Sequence, residues 1–207
     1  MIPVTTLVQQ CAPFVAPKTM AAIVKVESGG NPLAMDNDST GQRLLPSSPA
    51  QASALLMRAM ALGQSVDVGI AQVNTANFAA FGLTPDNAFD ACTNIRVGAR
   101  ILEAAYRQAV ATYGLGQVAL FHAFEAYNSG QLIGDPVYAD KILAAAGVPV
   151  WVSGTGALRY HHLVHEPLVF TLSWQKTSPA AKSWRTAKSV VVRDQQITTT
   201  GPFSLRW

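Results

Sequence analysis

The sequence predicts a mainly α domain: a helical body followed by an extended, partly β C-terminal tail. Three observations carry this expectation. Apolar residues recur at helical spacing in segment after segment up to about Ala146, which puts them on one face of each helix. After Gly147 the period changes to two: Leu168, Phe170, Leu172 and Trp174 alternate with Val169, Thr171, Ser173 and Gln175, the pattern of a strand. Finally, 49% of the residues are hydrophobic and 13% charged, so the chain can bury a sizeable core and global disorder is excluded. The 207 residues suit one domain of ordinary size plus an appendage, which we divide as domain 1–147 and tail 148–207.

The elements follow in order. Pro17 suits the first turn of a helix, where its missing N–H costs nothing; that helix runs through Met20, Ile23, Val24 and Glu27 and stops at Gly29-Gly30. Asn31 to Pro46 is rich in Asp, Asn, Ser and Gly and reads as a polar loop. Ser48-Pro49 is an N-cap followed by Pro at the first helical position, opening a helix through Leu55, Leu56 and Met60. Asn94 is the expected cap of the longest helix, whose apolar residues Ile95, Ala99, Leu102, Tyr106 and Ala109 keep helical spacing until Gly114. Further helices span about Gln117 to Tyr127 and Pro136 to Ala146. Beyond them, Leu168 to Trp174 and Ser189 to Arg193 read as extended segments able to form a hairpin, joined by a Ser/Ala/Lys-rich connector.

Charge divides along the same boundary. Residues 1–150 carry 8 basic and 10 acidic side chains, and residues 151–207 carry 7 and 2. A basic tail suits an anionic surface or partner, and equally a solvated tail. Its aromatics are too sparse for a nucleic-acid stacking platform. No apolar run approaches the length of a membrane span, and residues 1–24 lack the basic start and uninterrupted apolar stretch of a signal peptide. Cys11 and Cys92 have no metal-ligand spacing, so we expect no metal and no cofactor. They are either two buried thiols or a disulfide.

Three short polar motifs interrupt the helices: Glu27-Ser28-Gly29-Gly30-Asn31-Pro32, Gly69-Ile70-Ala71-Gln72-Val73-Asn74 and Ala126-Tyr127-Asn128-Ser129-Gly130. Glu27 ends an apolar helix face, so its carboxyl stands half embedded, where burial favours the neutral form. A glycosidic bond breaks only when its leaving oxygen is protonated, and a carboxylic acid that keeps its proton near neutral pH does this. Taken alone, such a Glu is more often a surface ion-pair partner. Gln72 and Asn74 offer donor and acceptor together, as sugar hydroxyls and N-acetyl groups require, or else make local backbone bonds. Tyr127 can steady a neighbouring carboxyl, or simply fill the core above an Asn128 cap.

In this order and at these separations, the three motifs resemble those of the soluble lytic transglycosylase domain. Asp90 to Leu102 is similar to the stretch between that family's second and third motifs. Gln9 to Pro13 and Thr19 to Val24 resemble the start of the transglycosylase component of VirB-type type IV secretion systems. The resemblance covers residues 1 to about 145 and implies a lysozyme-like α+β fold around a glycan cleft in the periplasm or cell envelope. It implies Glu27 as catalytic acid and base, Ser28 orienting substrate, Gln72, Asn74 and Asn128 contacting sugar, and Tyr127 hydrogen-bonding Glu27. Cys92 falls where those proteins place a cysteine, which favours a Cys11–Cys92 bridge. The implied partners are peptidoglycan strands and, through the tail, secretion-system components. Two carboxylates depart from the pattern, Asp67 and Glu125, and either leaves room for a hydrolytic muramidase in which it positions water. A non-catalytic glycan-binding scaffold is the remaining alternative.

Overall fold

A computed structural model describes residues 3–148, together with the backbone of residues 151–152 and 158–159. Helix α1 (Val4–Cys11) buries Val8 and Cys11. Helix α2 (Pro17–Ser28) starts at Pro17 and ends where Gly29 turns left-handed at φ 65°, its N–H bonded to the Lys25 carbonyl. The polar loop expected over Asn31 to Pro46 instead holds a hairpin, β1 (Met35–Asn37) and β2 (Gln42–Leu44). Strands of three residues give no readable alternation. Gly41, at φ 67°, closes the turn by donating its N–H to the Asn37 carbonyl at 2.7 Å.

Helix α3 (Pro49–Ala61) begins as expected, with Ser48 Oγ accepting from the Gln51 N–H at 3.2 Å. Strands β3 (Val66–Val68) and β4 (Val73–Asn74) complete an antiparallel sheet of order β2-β1-β3-β4. A 3₁₀ turn (Thr75–Asn77) and the short α4 (Phe78–Phe81) lead to α5 (Ala91–Tyr113).

The cap of α5 is Asp90, which accepts from the Thr93 N–H at 2.8 Å, and not Asn94. Asn94 lies one turn inside, fully buried. Its amide donates to the carbonyls of Val68 and Ala88, both at 2.9 Å, and accepts from the Ala71 N–H at 2.8 Å. Asp and Asn are comparable caps; the loop over α5 needs an amide that donates and accepts, so Asn takes the inner position. Gly69 is fitted to that amide. A Cβ there would stand 2.4 Å from Asn94 Nδ2, on backbone at φ 83°.

Helix α6 (Gln117–Ser129) packs along α5, and α7 (Pro136–Ala145) bridges α6 and α2. Met20 and Ile23 of α2, Ile95 and Leu102 of α5, Phe124 of α6 and Ile142 of α7 are fully buried in this core. Each contributes about 1.5–3 kcal/mol by leaving water. The Cys11–Cys92 disulfide ties the end of α1 to the start of α5 across 81 residues, worth roughly 4–5 kcal/mol in the chain-entropy treatment. Past Val148, β5 (Trp151–Val152) and β6 (Leu158–Arg159) pair antiparallel, with β6 against α7. The strands expected at Leu168 to Trp174 and Ser189 to Arg193 lie outside the described residues.

Candidate active site

The site forms where the end of α2 meets the sheet and the ends of α6 and α7. Glu27 is the penultimate residue of α2, and the left-handed Gly29 turns the chain away immediately after it. Ser28 fixes that end: its Oγ donates to the Ile70 carbonyl at 2.7 Å and accepts from the Gly30 N–H at 3.1 Å. Ser28 is buried and does not line the cleft. What it touches is the turn carrying the second motif, so it fixes Glu27 relative to Gln72.

The cleft has a volume of about 370 Å³. Glu27, Gln72, Asn74, Tyr127 and Asn128 line it, and so do three residues outside the expected set: Asp38, Ser65 and Asp67. Of these, the sequence points only to Asp67, as the carboxylate that would position water in a hydrolytic muramidase. A second cavity of about 330 Å³ lies among Val4, Ala22, Val24 and Ala145, with Lys18 and Lys25 and no acid. Among the described residues no group of three or more His, Cys, Asp or Glu side chains is arranged to hold a metal ion.

Burial pushes the Glu27 carboxyl up to about 8; the hydroxyl of Tyr138 pulls it back, Asp67 and Asp36 raise it further, and Arg43 lowers it. Tyr138 Oη donates to Glu27 Oε1. This is not the tyrosine the motif resemblance implies. Tyr127 Oη instead donates to the Ala71 carbonyl at 2.7 Å. It reaches that carbonyl across Gly98, where a Cβ would come within 2.7 Å of the phenol oxygen and 2.8 Å of the Ala71 Cβ. Tyr127 thus supports the second-motif turn from below. Tyr138 sits in the first turn of α7, whose start Asp135 caps by accepting from the N–H groups of Val137 and Tyr138 at 2.9 and 3.1 Å. The signal was present in Asp135-Pro136, an N-cap and N1 pair that places a tyrosine one turn into a helix.

The sheet supplies the opposite wall. Asp67, in β3, stands in register between Asp36 of β1 and Asn74 of β4. Burial and the neighbouring Asp38 raise it to about 7; Asn74 opposes this by donating to its Oδ1 at 2.9 Å, and Asp36 adds to it. The Asn74 amide also faces Ser65 Oγ at 2.8 Å and Asp38 Oδ2 at 3.1 Å. Its Oδ1 accepts from the Ala76 N–H at 2.9 Å. Among the described residues Gln72 is the non-glycine residue at positive φ, 47°, a conformation costing roughly 1–2 kcal/mol. Its Nε2 donates to the carbonyls of Gly69 and Ala34 at 2.8 and 3.1 Å, while its buried Oε1 has no hydrogen-bond partner. Strain and an unused acceptor thus coincide at the cleft. Glu125 does not line the cleft. It is buried with its Oε2 2.5 Å from His122 Nδ1, which removes it from the cleft chemistry.

A cleft with one carboxyl held up to about 8 can deliver a proton to a leaving oxygen at neutral pH. The type IV secretion system protein virB1 of Brucella abortus, and that of Brucella suis, are 43% identical to this chain over 158 residues, 72% of the chain and 66% of theirs. Protein virB1 of Agrobacterium fabrum is 42% identical over 122 residues, 59% of the chain and 49% of its own length. The match thus spans a little under two thirds of the Brucella proteins and about half of the Agrobacterium one. No solved structure matches. The model of the transglycosylase SLT domain matches residues 7–135, a span that holds all three motifs, the disulfide and the sheet. On that match, and with its mainly α, lysozyme-like α+β architecture, the chain belongs to the transglycosylase SLT domain family.

Proposed function

We propose that the chain is a peptidoglycan lytic transglycosylase that cuts the β-1,4 bond between MurNAc and GlcNAc and opens the cell wall for a type IV secretion apparatus. The observation that carries this reading is Glu27: a single acid at the end of α2, held by Tyr138 and raised to about 8. It is loaded with a proton at neutral pH. In the reaction Glu27 gives that proton to the bridging oxygen as the C1–O bond breaks. The substrate's own 2-acetamido group stabilises the positive charge at C1. Ionised Glu27, still bonded by the Tyr138 hydroxyl, then takes the proton of the MurNAc C6 hydroxyl, whose oxygen closes on C1. The product end is 1,6-anhydroMurNAc, no water is consumed, and Glu27 leaves the cycle as it entered.

This substrate places the enzyme in the periplasm, or more broadly in the cell envelope. No described helix is long and apolar enough to cross a membrane. Of the residues beyond Glu27, Gln72, Asn74 and Asn128 are the proposed sugar contacts, Tyr127 supports the turn that carries Gln72, and Ser28 positions Glu27. We assign the basic residues beyond 160 to attachment on anionic wall polymer or on secretion-system partners.

One observation favours a second reading. Asp67 shares the cleft, and an ionised carboxylate there would serve water and make the enzyme a hydrolytic muramidase. Product mass separates the two, because a hydrolysed end is heavier by one water. Muropeptides released from purified sacculi are expected to end in 1,6-anhydroMurNAc; a predominance of reducing-end MurNAc would overturn the lyase reading.

A further inference from the structure

The sheet wall carries more acid than a one-acid reaction uses. Asp38, in the turn after β1, accepts from Ser65 Oγ at 3.0 Å and faces the Asn74 amide at 3.1 Å. That amide also donates to Ser65 Oγ and to Asp67 Oδ1. Two N–H groups therefore meet three oxygens. Ser65 and Asn74 lock Asp38 and Asp67 onto the two sides of one amide, and all four residues line the cleft with Glu27.

We propose that Asp38 is a positioning residue that decides the product: by standing beside Asp67 across Asn74, it keeps Asp67 from serving water, so that the glycosyl centre is closed by the substrate's own hydroxyl. The inference rests on the transglycosylase reading and extends it. In both outcomes Glu27 protonates the bridging oxygen as the C1–O bond breaks. In ring closure the C6 oxygen bonds C1 and its proton goes to Glu27. In hydrolysis a water oxygen bonds C1, its proton passes to ionised Asp67 and on to solvent, and solvent reprotonates Glu27. The second route needs Asp67 as an anion.

The surroundings oppose that anion. Burial and Asp38 come first and Asp36 adds to them, while the hydrogen bond from Asn74 works the other way. On α2, Glu27 feels Asp67, which raises the Glu27 carboxyl. Arg43 of β2 is spent on Asp36, 3.6 Å away. Tyr127 and Tyr138 face the site as neutral phenols, both raised well above their ordinary values by burial. The other elements packed on β3 are α3, whose single ionisable residue, Arg58, is exposed, and the 3₁₀ turn Thr75–Asn77, which has none. Among the described residues, then, no cation stands on Asp67 to offset Asp38.

The test is the ratio of hydrolysed to anhydro ends, measured by mass spectrometry across pH 5 to 9 on purified sacculi. In the wild type the hydrolysed share should rise as pH passes about 7. Asp38→Asn keeps the shape and removes the charge; at pH 6 it should raise the hydrolysed share about three- to tenfold and move its rise to lower pH. Asp67→Asn, alone or with Asp38→Asn, should flatten the pH dependence. Ser65→Ala frees Asp38 from its anchor and should move the ratio in the same direction by less, a check that stands if Asp38→Asn does not fold. A merely structural role for Asp38 would change yield and not this ratio. An unchanged ratio in Asp38→Asn or in Ser65→Ala overturns the inference and leaves the lyase reading intact. A wild type that releases no anhydro ends overturns both.

Discussion

The two walls of the cleft are built on different terms. The helical wall carries one acid, Glu27, with its partner Tyr138 held in the first turn of a capped helix. Helix ends fix these side chains through their own backbone hydrogen bonds, so the proton donor stands on rigid supports. The sheet wall is made from strands of two and three residues, and its side chains are fixed mainly by one another. Asn74, Ser65, Asp38 and Asp67 share hydrogen bonds that no single pair accounts for. In the proposed reading the two walls divide the labour: the rigid wall would perform the proton transfer, and the networked wall would set the conditions under which its outcome is decided.

Removing one carboxylate from each wall separates their roles. Glu27→Gln keeps the shape and cannot give or recover a proton, so lytic activity should fall roughly 10²- to 10⁴-fold. Asp67→Asn should cost tenfold or less; equal losses would erase the distinction between the walls. Stability should respond in a pH-dependent way. Glu27 rises from its ordinary 4.5 to about 8 in the fold. Its burial is therefore free of penalty below pH 4.5 and becomes destabilising as pH climbs toward about 8. Glu27→Gln should match the wild-type Tm at pH 4 and exceed it at pH 8 to 9. Asp67→Asn should do the same over the window from 3.8 to about 7. Thermal melts at both ends of the range check the sign.

A second comparison lies within the helical wall. Tyr138→Phe removes the donor to Glu27, a hydrogen bond to a charged partner once the acid has ionised. The rate should fall roughly ten- to a hundredfold with little change in Tm. Because that bond lowers the Glu27 pKa, its loss should also move the alkaline limb of the pH–rate profile upward. Tyr127→Phe leaves Glu27 its partner and strips the Ala71 carbonyl of its donor. That should cost about 1–3 kcal/mol, seen as a lower Tm, with a smaller effect on rate. If the two variants exchange these signatures, the assignment of the tyrosines is wrong.

How much of this was legible in the sequence follows the same division. Pro17 with Gly29 bounded α2, Ser48-Pro49 opened α3, and Gly114 ended α5, because proline, glycine and capping residues act through local geometry that neighbouring residues reveal. The three motifs brought five of the expected site residues to one cleft, the first and third because each terminates a readable helix. The sheet wall stayed hidden. Three residues such as Met35-Asp36-Asn37 carry no period, and Asp38 and Ser65 meet Asn74 only once β1, β3 and β4 have paired. The choice of Asp90 over Asn94 as cap, and of Tyr138 over Tyr127 as partner of Glu27, also turned on contacts across the fold. In both pairs the residue types are equivalent locally, and the requirement of a distant backbone group (Ala71 in each case) decides which of the two moves inward.

The smallest expected effect lies at the outer edge of the helical wall, where β6 rests against α7. Since α7 holds Tyr138, we propose that the first residues past Val148 belong with the domain, which would move the boundary drawn at 147/148 from the change of period to a point after the paired β5 and β6. The remaining tail is strongly basic and contains Trp174, Trp184 and Trp207, a composition suited to docking on an anionic polymer or partner. A chain ending at Tyr160 should therefore keep its Tm and its rate on soluble glycan while losing retention on sacculi, and the full chain's retention should weaken as salt rises. A chain ending at Val148 should in addition lose a few degrees in Tm, about what losing one partly covered helix face costs a domain of this size. Unfolding of the chain that ends at Tyr160 would make the tail part of the core and end the attachment idea. Loss of rate at unchanged Tm would instead give the tail a place at the cleft, and the comparison would then need a third wall.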